Sequence, residues 1–222
     1  MDLSTGNSGN LLREAVIKIG PECQQEGVFC QYLGENVAPE VYAIIPNGYV
    51  MEVLKPVIRT PWLLRSIEIL LEEKVWIRPA LPISNDISWR EKLQVFGIQI
   101  PSWYKETESC LVHGDPTISN ALMRDGDLIL CDPRPPRDFI PQCRETDMGR
   151  ILQSLFGWES VAYGFNSINY EEPHFMKDEY LRKAALFWCG AAAARIEHLE
   201  RSRENRYRIL EWCRQVRGIL NV

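Results

Sequence analysis

Asp115, Asn120 and Asp132 carry the oxygen atoms from which a phosphoryl-transfer site can be built. Asp115 ends the tripeptide His113-Gly114-Asp115, Asn120 follows five residues later, and Asp132 lies twelve further on. Between the last two runs Arg124-Asp125-Gly126-Asp127, whose Asp-Gly step favours a tight hairpin. A hairpin returns the chain close to its start. Asp132, after the second strand, then approaches Asn120, just before the first. Magnesium is a hard cation that takes oxygen ligands and keeps water or phosphate oxygens in its shell. A carboxylate and an amide carbonyl can hold it without neutralising it. A separate carboxylate must accept the proton of an attacking hydroxyl and orient it in line. Asp115 has the position for that role.

The surrounding sequence predicts the elements that hold these residues. Ala15 to Ile19 is β-prone and contains one lysine, Lys18; Gly20-Pro21 breaks the run. Glu22 to Leu33 has helical periodicity, with Gly34 as its stop. Glu40 to Ile45 and Tyr49 to Leu54 read as strands of a hairpin around Pro46-Asn47-Gly48. Helix resumes over Pro61 to Val75, and residues 76 to 105 are mixed, punctuated by Pro79, Pro82 and Pro101. Asn120 to Met123 and Leu128 to Cys131 form the second hairpin. Asp147 to Phe156, Asp178 to Arg201 and Glu204 to Leu220 read as helices. Asp147 is placed to cap the first of these. Strands with one helix come first and helices around a small hairpin follow, which predicts an α+β protein.

His113-Gly114-Asp115 with Asn120, followed by Cys131-Asp132-Pro133, resembles the aminoglycoside phosphotransferase and choline kinase family. That family carries H-G-D-x-x-x-x-N and then a hydrophobic-hydrophobic-Asp segment. The resemblance implies a two-lobed, protein-kinase-like fold with a small, truncated β-rich lobe over residues 1–55 and a mainly helical lobe over 56–222. It implies Asp115 as catalytic base, Asn120 and Asp132 as Mg2+ ligands, and ATP as phosphate donor. His113 has a supporting place in the motif. Asp147-Met148-Gly149 is similar to the family's later helix start, whose aspartate buttresses the catalytic loop. Lys18, Glu26 and Leu33 are similar to the strand lysine and helix glutamate that hold the α- and β-phosphates, with Glu22 the other candidate glutamate. Tyr49 to Leu54 resembles the hinge strand, where backbone groups near Glu52, Val53 and Leu54 would bind adenine. The family's Gly-rich hairpin has a shortened counterpart in Gly6 to Asn10, with Gly9 at the phosphates. Only seventeen residues precede Lys18, which departs from the family pattern and puts nucleotide affinity in question.

The implied reaction moves the γ-phosphate of ATP to a hydroxyl of a small molecule. Trp158, Tyr163, Phe165, Tyr170, Phe175 and Trp188, with Glu159, Glu171, Glu172, Asp178 and Glu179 between them, offer a surface for a cationic acceptor such as an amino sugar or a choline-like amine. A sugar is a further possibility. Arg134 and Arg137 offer contacts to an anionic acceptor or to the transferring phosphate. A non-catalytic nucleotide-binding regulator or scaffold on the same fold is the alternative. The glycine in H-G-D, where protein kinases have arginine, argues against a protein acceptor.

Composition narrows the class further. The formal net charge of −5 argues against sequence-blind binding of nucleic acid. No apolar run approaches the length of a membrane span. The seven cysteines are odd in number and form no C-x-x-C pair, which predicts free thiols. With no basic and apolar leader at residues 1–10, the expected location is the cytoplasm.

Overall fold

The computed structural model describes residues 14–82, 89–105, 108–135, 141–200 and 207–220. The chain is α+β: two antiparallel three-stranded sheets and, among the described residues, seven α-helices.

In the first sheet β3 (Gly48–Glu52) is central, flanked by β1 (Ala15–Ile19) and β2 (Val41–Ile45). The β2–β3 turn falls where proline, asparagine and glycine predict it. Asn47 takes φ 58°, a conformation that asparagine tolerates better than most side chains. Helix α1 (Cys23–Leu33) connects β1 to β2 and lies on the sheet. It seats closely because residue 27 is glycine. A Cβ at Gly27 would lie 2.7 Å from both Cβ and Cγ of Tyr49. Gly27→Ala is therefore expected to lift α1 and cost about 1–3 kcal/mol. The check is urea unfolding, with a lower midpoint at unchanged slope; an unchanged midpoint would mean that this contact yields without cost.

The second sheet joins β4 (Lys55–Pro56) to β5 (Ala121–Arg124) and β6 (Asp127–Leu130). The β5–β6 hairpin turns at Asp125 and Gly126, both with positive φ. Around it stand α2 (Leu63–Lys74), α3 (Trp89–Val95), α4 (Arg144–Leu155), α5 (Trp158–Tyr163), α6 (Glu179–Glu200) and α7 (Tyr207–Leu220). The main apolar core runs from Phe29 and Leu33 of α1 through Leu64, Ile67 and Leu71 of α2 to Ile151 and Leu152 of α4. Ala185, Cys189 and Ala193 of α6 and Cys213 and Val216 of α7 complete it. The small side chains of α6 let α4 approach, which matters because α4 carries part of the site.

All seven cysteines are free and six are buried, so they act as small core residues. Among the described residues no helix is long and apolar enough to cross a membrane. Three elements lie where the sequence pattern gives no signal: α3 within the mixed stretch, α5, and the two-residue β4. One expectation is corrected. Asp147 does not cap α4, which begins at Arg144 with Cys143 at the cap position; Asp147 sits inside the first turn with its carboxylate turned to the loop at His113.

Candidate active site

Lys18 and Tyr49 stand directly opposite each other on β1 and β3, which puts their side chains on one face of the sheet. That face meets α1. Lys18 Nζ lies 2.6 Å from Glu26 Oε1, and the Tyr49 hydroxyl donates to the same oxygen at 2.6 Å. Lys18 Nζ also lies 2.6 Å from Asp132 Oδ1, 114 residues along the chain. Strand, helix and second hairpin thus converge on one ammonium. Glu22 lines the same cavity, but the bond to Lys18 is made by Glu26.

Asp132 follows β6 and adopts φ 56°, a strained conformation for a residue with a Cβ, of the kind found where a side chain must be aimed. Two residues on, Arg134 N–H donates to the His113 carbonyl at 2.8 Å. The two loops therefore run side by side. Gly114 makes that possible: its φ is +85°, and a Cβ there would lie 2.8 Å from the Arg134 carbonyl oxygen. Only glycine meets both demands.

Asp147 fixes this loop from below. Its Oδ2 accepts from His113 N–H at 2.8 Å and from the Trp76 indole at 3.1 Å, and its Oδ1 accepts from Gly114 N–H at 2.7 Å. The loop then turns, and Asn120 Nδ2 donates to the Asp115 carbonyl at 2.8 Å. That bond orients the amide of Asn120, which lines the cavity. Ile118 N–H is held by Ser154 Oγ at 3.0 Å, and Ser154 in turn donates to buried Glu159 at 2.5 Å.

Asp115 itself faces two guanidiniums. Arg134 Nε is 3.1 Å from Oδ2, and Arg150 Nε is 3.8 Å from Oδ1. Burial pushes the Asp115 carboxyl up, but Arg150, Arg134 and His113 outweigh it and hold the carboxyl below its ordinary range. Burial lowers His113 to about 4 despite the nearby Asp115 charge, so its ring is neutral at pH 7. Burial raises Asp147 to about 6, against the pull of the N–H groups of His113, Trp76 and Gly114. For Lys18 burial favours the neutral amine, yet Asp132 and Glu26 overcome it and keep the ammonium charged.

Asp115, Asn120 and Asp132 line one cavity of about 430 Å³, together with Arg134, Arg150 and Arg195. Among the described residues no three acidic, cysteine or histidine side chains form a metal cage. The oxygens of Asn120 and Asp132 are instead a partial donor set. It suits a cation that completes its shell with water and phosphate.

The remaining sequence-derived candidates fall elsewhere. Glu52 sits at the end of β3 with its N–H on the Glu40 carbonyl at 3.0 Å. Its carboxylate accepts from Glu40 N–H and is paired with Arg124 of β5. The side chain thus ties the first sheet to the second, and Val53, just beyond the strand, is half-exposed. Gly9 and Arg137 lie outside the described residues. The aromatic and acidic residues after Phe156 do not form one surface: Trp158 and Tyr163 line the Asp115 cavity, and Glu159, Phe165 and Tyr170 line a separate cavity of about 300 Å³. Trp158 packs on Trp212 with centroids 5.0 Å apart, Arg59 covers Phe165 at 4.2 Å, and Glu171 pairs with Arg65 at 3.3 Å.

Three site residues, Tyr49, Arg150 and Arg195, escape the sequence reading. Tyr49 was legible only as a hinge-strand residue, although its place opposite Lys18 follows from the hairpin register. Arg150 lies three residues after Asp147, and that helical spacing puts both on one face of α4.

No protein-family model matches the chain, and no curated protein matches it.

Proposed function

We propose that this chain is an ATP-dependent phosphotransferase that moves the γ-phosphate to a hydroxyl of a small molecule, on a two-lobed, protein-kinase-like fold. The first sheet with α1 is the smaller lobe, and the chain from about residue 56 is the larger. The observation that carries this reading is the meeting of Lys18 with both Glu26 and Asp132, at 2.6 Å each, at the edge of a cavity that Asp115 and Asn120 also line.

Each residue has a task that its surroundings permit. Glu26, steadied by Tyr49, aims the Lys18 ammonium, which neutralises donor phosphate oxygens. Asn120 and Asp132 would hold Mg2+, which supplies charge neutralisation on those oxygens when bound. The Lys18–Asp132 bridge opens so that each reaches its own partner. Asp115 accepts the proton of the acceptor hydroxyl, and its low basicity suits a late proton transfer in a loose transition state. Asp147 positions the loop that carries Asp115.

The test has two stages. Mg2+ with ATP should raise the melting temperature of the wild type, and Lys18→Ala should weaken binding by about ten-fold or more. Labelled ATP with pooled hydroxyl compounds should then yield a phosphorylated product. Absence of stabilisation by Mg2+ and ATP would remove the proposal. Stabilisation with no transfer to any hydroxyl would favour a nucleotide-binding regulator, and an AMP adduct in the product would point to nucleotidyl transfer.

A further inference from the structure

The charge around Asp115 speaks to what the acceptor is, given the phosphotransferase reading above. Three arginines from three parts of the chain line the cavity that holds this carboxylate: Arg134 from the loop after β6, Arg150 from α4 and Arg195 from α6. Arg150 is the fixed member. Its side chain is 10% exposed, and Nη1 donates to Gln153 at 2.6 Å. Arg134 is the movable one, with 43% of its side chain exposed. The other lining carboxylates, Glu22, Glu26 and Asp132, come from the segments around Lys18.

Arg134 and Arg150 both reach Asp115, and Arg195 lines the same cavity. Arginines gathered in this way match the planar geometry of a carboxylate or phosphate. Trp158 and Tyr163 also line this cavity, but Trp158 packs on Trp212 and Tyr163 on Phe165, whose ring Arg59 covers. Arg150 and Arg195 also line a second, smaller cavity of about 40 Å³ with Leu93, Phe96 and Trp188, which gives a small apolar group a place next to the charge.

We propose that the acceptor is an anion: a hydroxyl compound bearing a carboxylate or phosphate, gripped by Arg134, Arg150 and Arg195 with its hydroxyl at Asp115. Binding has a second consequence. The acceptor's charge draws Arg134 off Asp115 Oδ2 and releases that oxygen to act as base, so the base is unmasked only when acceptor is present. Asp115 then takes the hydroxyl proton, and the acceptor oxygen bonds to the γ-phosphorus of ATP. The bond from that phosphorus to the bridging oxygen breaks, and its electron pair leaves with ADP. This departs from the amino-sugar and choline-like acceptors that the sequence resemblance implies.

The experiment compares glycerol 3-phosphate and D-glycerate with glycerol and choline, by melting temperature and calorimetry on the nucleotide-free protein. Both anions should bind and both comparison compounds should not. Arg195→Gln and Arg134→Gln should weaken the anions about ten- to hundred-fold, whereas Arg214→Gln, at an exposed arginine of α7, should leave them unchanged. Equal response to glycerol, a stronger response to choline, or no response to either anion would overturn the proposal. Anion binding lost in Lys18→Ala but kept in Arg195→Gln would also overturn it, by placing the anion among the donor-phosphate contacts. Failure of Mg2+ with ATP to stabilise the wild type would instead remove the kinase reading, and the acceptor role with it.

Discussion

Asp115→Asn should lower the rate of γ-phosphate transfer by a factor of about 10² to 10⁴, the usual worth of a positioned general base. Nucleotide binding should survive, because the proposed donor contacts fall on other residues. Lys18 reaches Glu26 and Asp132 directly, and Asn120 is oriented by the backbone carbonyl of Asp115 rather than by its side chain. An amide has the shape of the carboxylate but no basicity, so the loss falls on turnover and not on affinity. Stability changes too, in a separable way. The Arg134 pair is partly exposed and worth little. Arg150 is buried, but it keeps Gln153 and gains the amide oxygen as a neutral acceptor, so the cost is about 1–3 kcal/mol. Single-turnover transfer should be followed well below the melting temperature, beside Mg2+ and ATP titrations of both proteins. Transfer within ten-fold of wild type would show that Asp115 is not the base. Lost transfer together with lost nucleotide binding would mean that the loop had collapsed, and it would leave the catalytic assignment without support.

What could be read from the sequence, and what could not, follows from the range of the interactions involved. The two hairpins were legible because Asn47-Gly48 and Asp125-Gly126 set their turns locally, and α1, α2 and α7 because each buries apolar residues at helical spacing, whereas α4 and α6 are buried all round over Glu145–Ser154 and Phe187–Ala194. Helix α3 is seven residues long and rests on tertiary packing, with Leu93 against Phe187 and Trp188. A segment so short carries too little periodicity to declare itself. Within the site, the loop residues Asp115, Asn120 and Asp132 could be placed together because a single hairpin joins them. The convergence of Arg134, Arg150 and Arg195 could not, since it depends on how α4 and α6 pack. Asp147 shows both sides of this. Its position near a helix start was legible, but its task is set by Trp76, His113 and Gly114, which come from distant segments.

Asp147 and His113 should also oppose each other in the pH dependence of stability, each masking the other in the wild type. Burial lowers His113 from 6.5 to about 4. Between those values the unfolded chain binds more protons at this residue, so its contribution is full above pH 6.5 and is lost as pH falls toward 4. Burial raises Asp147 from 3.8 to about 6. Here the folded protein binds more protons, so its contribution is full below pH 3.8 and is lost as pH rises through 6. Each gap is worth about 3 kcal/mol, and the two cancel over much of pH 4 to 6. Replacing either residue should uncover the other. His113→Gln should become less stable relative to wild type as pH rises from about 4 to 6.5, by about 3 kcal/mol. Asp147→Asn should show the reverse, with its deficit growing as pH falls through the same range. Asp147→Asn also carries a pH-independent cost of about 3–5 kcal/mol, because its amide hydrogens face N–H donors that need an acceptor. Urea unfolding of the three proteins from pH 4 to 7 gives all of these differences. Two variants whose deficits move in the same direction with pH would show that burial does not shift the two groups in opposite senses, and the loop at Asp115 would need a different electrostatic account.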